Sequence, residues 1–315
     1  MIYITIDGGT TNTRISLVSD KEIKDTVKLN VGARANMNGD GILQKAIGEG
    51  TKKLLSSNNI TEKDIKCILA SGMITSEFGL VNLPHISTPA GIDELNESME
   101  KIVLEEISSI PFFFIRGVKK VGENFTESVI MRGEETELMG IAKDSYGECV
   151  YILPGSHSKI IKTDEKGRIT DFATMLTGEM IASLSEYTIL KDAVDLSEAA
   201  VNKEYLMKGY DYAKEEGLNK ALFKVRILKN LFGGDKDKTY SFFLGAVLSG
   251  EVESALKTGA KTVAIGGRAQ IKNAMAEIFN MRSDKKVVLL SEEEVNSSTA
   301  MGAIKIYESG GNKNV

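Results

Sequence analysis

Three short stretches of this 315-residue chain combine residue types that could do chemistry. The first is Asp7-Gly8-Gly9-Thr10-Thr11-Asn12, which follows the alternating β-formers Ile2–Ile6 and leads into a second strand. A two-residue hairpin turn needs one or two glycines and no row of small polar residues. N–H groups freed by glycine, flanked by Thr and Asn, form a concave anion site. An acid at the strand end can reach a cation riding on that anion. Phosphate with a divalent metal is the ligand class this suggests, although Asp7 as a simple turn cap would also explain it. Neither the G-x-G-x-x-G nor the Walker spacing is present, and no Lys follows the glycines. The second stretch is Gly133-Glu134-Glu135-Thr136-Glu137, running into Leu138, Met139 and Ile141. Acids in a first helical turn are favoured by the macrodipole without any function; the alternative is a proton acceptor. The third is Pro154-Gly155-Ser156-His157-Ser158, a small polar turn closing another apolar strand. Two such turns at the mouth of one cleft would clamp a polyphosphate from both sides.

The elements that must hold these stretches come in one order, twice. IYITID, TRISLV and EIKDTVKLN read as a three-strand meander, followed by a helix near Gly41–Ser57 whose apolar positions keep helical spacing. The strand IKCILASG, a helix near Asp93–Ile107 and the strand PFFFIRG complete the first half. CVYILPG, HSKIIKTD and RITDFATM form a second meander, followed by a helix over Gly178–Lys191 capped by Thr177. Two or three helices occupy Leu196–Ser254, then the strand TVAIGG, a helix Ala269–Phe279, the strand KVVLLS and a helix Ser297–Glu308. The β-β-β-α-β-α-β order in both halves predicts two related α/β domains, 1–125 and 126–315, facing each other across a cleft.

Composition narrows the partners. A net charge of −5 without a basic stripe argues against nucleic acid. No apolar run reaches membrane-span length, and the chain enters a strand at once, so a cytoplasmic protein without a signal peptide is expected. Cys67 and Cys149 sit in apolar strands and read as buried thiols, and with only His85 and His157 a zinc site is not expected. The oligomeric state is open, a homodimer included.

The duplicated order with IDGGTTNTR at its start resembles the actin/hexokinase/Hsp70 ATPase superfamily, whose first phosphate loop is an acidic strand end followed by glycine and threonine. VIMRGEETELMG, ILPGSHSKII and FATMLTGEMIASL, in that order, resemble the 2-dehydro-3-deoxygalactonokinase family. SGMITSEFGLVNLPHISTPAG is similar to that family's substrate-side segment. The resemblance implies two ribonuclease H-like (actin-like ATPase) domains with a nucleotide-binding cleft between them. It also implies ATP and Mg2+ as cofactors, and phosphorylation of the C6 hydroxyl of 2-dehydro-3-deoxy-D-galactonate, giving ADP.

Phosphoryl transfer needs a clamped triphosphate, Mg2+ and a carboxylate for the hydroxyl proton. The resemblance assigns Asp7 to the metal and Gly8, Gly9, Thr10, Thr11 and Asn12 to the phosphates. It assigns Gly155, Ser156, His157 and Ser158 to the second jaw, and Gly266 and Gly267 to the adenosine side. Related kinases keep their base just after a glycine at such a helix start, which points to Glu134, with Glu135 as the alternative. Ser76 and Glu77 are expected near the sugar hydroxyls. Arg132 is expected to grip the substrate carboxylate, in competition with Arg14, Arg34 and Arg116. The small residues Ala300, Gly302 and Ala303 would let the last helix pack closely. The readings kept beside this one are a kinase of another small sugar acid or polyol, a non-catalytic sugar sensor, and a chaperone- or filament-like ATPase.

Overall fold

The computed structural model describes residues 1–37, 41–196 and 199–311. Residues 38–40, 197–198 and 312–315, the last four closing the second expected domain, lie outside the described residues. The chain divides into two compact units: Met1–Asp144 with Lys166–Asp171 and Glu293–Val315, and Ser145–Glu165 with Phe172–Glu292.

In the first unit β1 (Ile2–Gly8), β2 (Thr13–Ser19) and β3 (Glu22–Leu29) form an antiparallel meander. The helix α1 (Ile42–Ser57) lays Leu43, Ile47, Leu54 and Leu55 on the face built from Ile4, Ile6, Ile15 and Leu17. β4 (Ile65–Gly72) then runs parallel to β1, and Cys67 to Gly72 are all buried, as a central strand covered on both faces requires. A small sheet includes β5 (Ile86–Ser87). The helix α2 (Ile92–Glu97) is short, and β6 (Glu100–Ile102) pairs antiparallel with β7 (Phe112–Phe114). The helix expected over Asp93–Ile107 therefore stops at Glu97. Its apolar spacing continues, but Ile102 is drawn to Phe112 across the sheet edge. β8 (Val118–Lys120) and β9 (Val129–Met131) join β5, and α3 (Glu134–Ile141) follows β9 directly. The main sheet has the order β3-β2-β1-β4-β7-β6.

The second unit repeats the plan. β10 (Cys149–Leu153), β11 (Ser158–Thr163) and β12 (Ile169–Met175) form the meander, and α4 (Thr177–Tyr187) follows. Three helices come next, α5 (Lys203–Glu216), α6 (Leu218–Phe232) and α7 (Lys236–Leu256). β13 (Thr262–Ile265), α8 (Ala269–Arg282) and β14 (Lys286–Leu289) complete a sheet of order β12-β11-β10-β13-β14. Its core gathers Val150, Ile152, Val263 and Ile265 from the sheet with Tyr210, Phe243 and Phe279 from the helices.

The last helix, α9 (Glu292–Ser309), starts earlier than the expected Ser297 and belongs from Glu293 onward to the first unit. Of its small residues, Gly302 acts as expected. A Cβ on Gly302 would overlap the Thr136 carbonyl, and one on Gly140 the Ser298 carbonyl, so α3 and α9 cross in near backbone contact. Cys67 and Cys149 are free and buried, and burial pushes both thiols up to about 12. Among the described residues no helix is long and apolar enough to cross a membrane.

Candidate active site

Three glycine backbones converge in the first unit. Gly8, ending β1, pairs with Gly72, ending β4. A Cβ on Gly72 would overlap the Gly8 carbonyl, and one on Gly133 would lie 3.3 Å from the Gly72 Cα. Gly72 and Gly133 also carry φ of +85° and +114°, which an L side chain resists. The convergence seats the first turn of α3 against the ends of β1 and β4.

Asp7 sits at this junction. Arg14 on the paired strand approaches its carboxylate at 3.4 Å. Burial pushes the Asp7 pKa up; Arg14 opposes the rise and the nearby Glu134 charge adds to it. Glu134 and Asp7 therefore act on each other. A cavity of about 20 Å³ beside Asp7 is also lined by Arg14, Ser71, Asn296 and Thr299, and the buried Ser71 hydroxyl has no hydrogen-bond partner. Asn296 and Thr299 come from the far end of the chain, and the sequence points to them only through the run of small residues in the same helix.

The turn after Asp7 is pinned from outside. Gly9 N–H donates to the Asn12 carbonyl at 2.8 Å, while the Gly9 and Thr10 carbonyls accept from Ala33 and Arg34 N–H at 3.0 and 2.9 Å. This leaves the backbone N–H groups of Thr10, Thr11 and Asn12 exposed and, among the described residues, without a protein acceptor. That is the donor set of an anion-binding turn.

The two adjacent glutamates differ sharply. Glu134 is partly exposed, and its Oε2 accepts the Arg132 N–H at 3.2 Å. Glu135 is 0% exposed, and its carboxylate accepts the Gly133 N–H at 2.8 and 2.9 Å and the Thr136 hydroxyl at 3.2 Å. Burial pushes Glu135 up to about 8, with the Glu134 charge adding to the rise.

Arg132 turns inward. Its Nη1 donates to the Thr75 carbonyl at 2.6 Å and the Thr75 hydroxyl at 2.5 Å, and Nη2 donates to the Leu83 carbonyl at 3.1 Å. Nη2 also meets His85 Nδ1 at 3.3 Å. Burial and the Arg132 and Lys119 charges hold His85 down at about 4, so it accepts as a neutral ring. Arg132 thus ties the segment carrying Ser76 and Glu77 to the start of α3. The Ser76 hydroxyl donates to the Met73 carbonyl at 2.7 Å, whereas Glu77 is exposed. Of the competing cations, Arg14 faces Asp7 and Arg116 pairs with Glu100. Arg34 is exposed, in a single helical turn held to Thr10 through its backbone and to Gly79 through Asn36.

In the second unit Gly155, Ser156 and His157 are exposed at the end of β10, while Ser158 is buried. The start of α4 packs on this turn: the Ser156 carbonyl accepts the Glu179 N–H at 3.3 Å, and a Cβ on Gly178 would overlap the Gly155 carbonyl. His157 Nε2 lies 2.9 Å from Glu179 Oε1. The N–H groups of Ser156 and His157 have no protein acceptor among the described residues. Gly266 N–H donates to the Ile152 carbonyl at 2.9 Å, and Gly267, at φ +85°, packs against Pro154. The glycine pair and the polar turn are therefore neighbours. Thr177, expected to cap α4, is instead its first residue and makes no cap bond.

A solved structure from Sinorhizobium meliloti, assigned as a 2-dehydro-3-deoxygalactonokinase, superposes with a TM-score of 0.79 at 18% identity, covering 98% of this chain and 99% of that one. The ADPNP-bound activator of 2-hydroxyisocaproyl-CoA dehydratase from Clostridium difficile matches over 100% of this chain and 99% of its own, with a TM-score of 0.50 and 12% identity. These likenesses show the actin-like ATPase fold. A Rhizobium meliloti (strain 1021) protein assigned as a 2-dehydro-3-deoxygalactonokinase is 31% identical over 130 residues, a stretch spanning 40% of this chain and 40% of that relative. The family profile described as 2-keto-3-deoxy-galactonokinase matches residues 7–301, and the chain belongs to that family of carbohydrate kinases.

Proposed function

We propose that the protein transfers the γ-phosphoryl group of ATP to the C6 hydroxyl of 2-dehydro-3-deoxy-D-galactonate, releasing ADP, as a cytoplasmic enzyme of sugar-acid catabolism. The observation that carries this reading is the convergence of Gly8, Gly72 and Gly133, with Glu134 within electrostatic reach of Asp7 and the unpaired N–H groups of Thr10 to Asn12 in the turn that follows Asp7.

Among the described residues there is no cluster of three or more His, Cys, Asp or Glu that could hold a metal by itself. Mg2+ does not need one, because it keeps several waters and takes one or two carboxylates plus substrate phosphates. Asp7, at the edge of an anion-binding turn, fits that pattern. Bound there, Mg2+ would neutralise charge on the phosphate oxygens.

In this reading the first turn and the exposed Gly155, Ser156 and His157 hold the phosphates, the buried Ser158 supports that turn from behind, and Gly266 and Gly267 leave space for the adenosine. Glu134 takes the proton of the attacking hydroxyl. Glu135, sealed from solvent, serves to hold Gly133. Arg132, its guanidinium occupied by Thr75, Leu83 and His85, positions the sugar-side segment, with Ser76 and Glu77 near the sugar hydroxyls. Arg34 then meets the substrate carboxylate. The test is ADP release across keto-deoxy acids and common sugars. Release should require both Mg2+ and a 2-keto-3-deoxy acid; equal turnover without any acceptor would reject the kinase reading.

A further inference from the structure

Glu251 lies inside the second unit, on α7, and is 0% exposed. Neither of its carboxylate oxygens makes a hydrogen bond. Its surroundings are specific: α7 packs against β11 and α4, and the hydroxyls that act on Glu251 are those of Ser158, the first residue of β11, and Thr177, the first residue of α4. Both are buried. Burial pushes the Glu251 pKa up and these two hydroxyls pull it back. A buried, unpaired carboxylate is costly, and an apolar side chain of similar size would pack at less expense. Its position beneath the two elements that frame the exposed polar turn supplies the reason to keep it.

The Ser158 hydroxyl links the two. Its oxygen accepts the Gly155 N–H at 3.3 Å, and its own proton has only a long alternative, the Gly155 carbonyl at 3.5 Å. A Ser158 proton turned toward Glu251 would leave the oxygen's lone pairs for Gly155 N–H, and a chain would then run from Glu251 through Ser158 to the first glycine of the turn. Thr177, freed from capping, gives the same carboxylate a hold on the first turn of α4, which Gly178 seats against Gly155.

The geometry points to Glu251 as the positioning residue of the second phosphate turn: through Ser158 and Thr177 it holds Gly155–Ser158 and the start of α4 in the orientation that presents the Ser156 and His157 N–H groups to nucleotide phosphate. This rests on the assignment of that turn to the nucleotide.

The experiment measures ADP affinity by calorimetry, KM for ATP, kcat at saturating ATP, KM for the sugar acid, and melting temperature. Its variants are Glu251→Leu, Glu251→Gln, Ser158→Ala, the Glu251→Leu/Ser158→Ala double variant and Gly155→Val. Loss of Glu251 should weaken ADP and raise KM for ATP about tenfold, the scale of one charge-assisted hydrogen bond. The sugar-acid KM and saturated kcat should stay near wild type and the melting temperature should not fall. Glu251→Gln, which keeps one acceptor oxygen, should recover part of the affinity and serves if Glu251→Leu does not fold. The double variant should be no worse than the poorer single one. Wild-type ADP affinity in folded Glu251 variants, with Gly155→Val weakened, would overturn the role of Glu251 alone. Wild-type affinity in Gly155→Val, whose side chain would enter the open space at the turn, would instead reject the assignment of the turn to phosphate.

Discussion

Glu135 is folded back onto Gly133, both of its carboxylate oxygens accepting one backbone N–H at 2.8 and 2.9 Å. The bond spans the residue between them, Glu134, and fixes the entry to α3 at the point where Gly133 adopts φ +114°. One acid is thereby committed to the backbone and its neighbour is left partly exposed beside Asp7.

This division predicts different outcomes for three neighbouring variants. Glu134→Gln should lower kcat by at least about 10²-fold, the lower bound for general base catalysis. ATP affinity should barely change, because the base meets the acceptor. Glu137→Gln should stay active. If Glu135→Gln alone is dead at unchanged stability, the base is one position on. If all three are active, the base lies elsewhere.

Glu135 also predicts a pH dependence of stability. Its folded pKa of about 8 lies above the ordinary glutamate value of about 4.3, so the folded state binds the extra proton. Its contribution is fully present below about pH 4 and is lost as pH rises through about 8. Thermal melts from pH 5 to 8.5 should show a decline that Glu135→Gln flattens. Glu134→Gln, by removing the neighbouring charge, should raise the melting temperature at the alkaline end. A catalytically dead Glu134→Gln that is equally or more stable there cannot be dismissed as misfolded. A wild-type curve flat over this range would contradict the picture.

Asp7→Asn keeps the shape of the strand end and removes its charge. It should lose most of kcat and lose the steep Mg2+ dependence, because metal charge and positioning supply most of this chemistry. Partial burial and Glu134 together oppose the charge of Asp7, whose side chain is 31% exposed, more than Arg14 favours it, so stability should not fall. A near-normal rate would return Asp7 to the role of a turn cap.

What could be read in the sequence was local. The two meanders, the glycine turn and the repeated element order follow from alternation and turn chemistry, which act over a few residues. Other features depend on partners distant in the chain. Ile102 left its helix because Phe112 waits at a sheet edge. Thr177 gave up its cap and faces Glu251 on α7. Arg132 looked like a free grip for a carboxylate beside the proposed base, yet Thr75 and Leu83 take its donors. Gly72 ended an apolar strand without remark, and only the approach of the Gly8 carbonyl shows why no other residue fits.

Arg34 and Arg132 give the last prediction: the sequence points to Arg132 with Arg34 among its competitors, and the bonds Arg132 makes favour Arg34. Arg132 is half-buried, and both its terminal nitrogens are engaged in tying Thr75 and Leu83 to the start of α3. Arg132→Ala should therefore remove the guanidinium's hydrogen bonds to Thr75 and Leu83, each worth about 1.5–3 kcal/mol for a charged donor, and should lower melting temperature and kcat together. Arg34 is exposed, and its backbone, not its side chain, holds the first turn. Arg34→Ala should keep the wild-type melting temperature and KM for ATP while raising KM for the sugar acid by about tenfold or more, the loss of one charge-assisted contact. A neutral acceptor lacking the carboxylate should be turned over equally well, or equally poorly, by wild type and Arg34→Ala. The measurement is a steady-state matrix of both variants against the keto-deoxy acid and its carboxamide. If Arg34→Ala leaves the acid's KM unchanged while Arg132→Ala raises it at full stability, the carboxylate is held by Arg132, and its bonds to Thr75 and Leu83 must open when substrate binds.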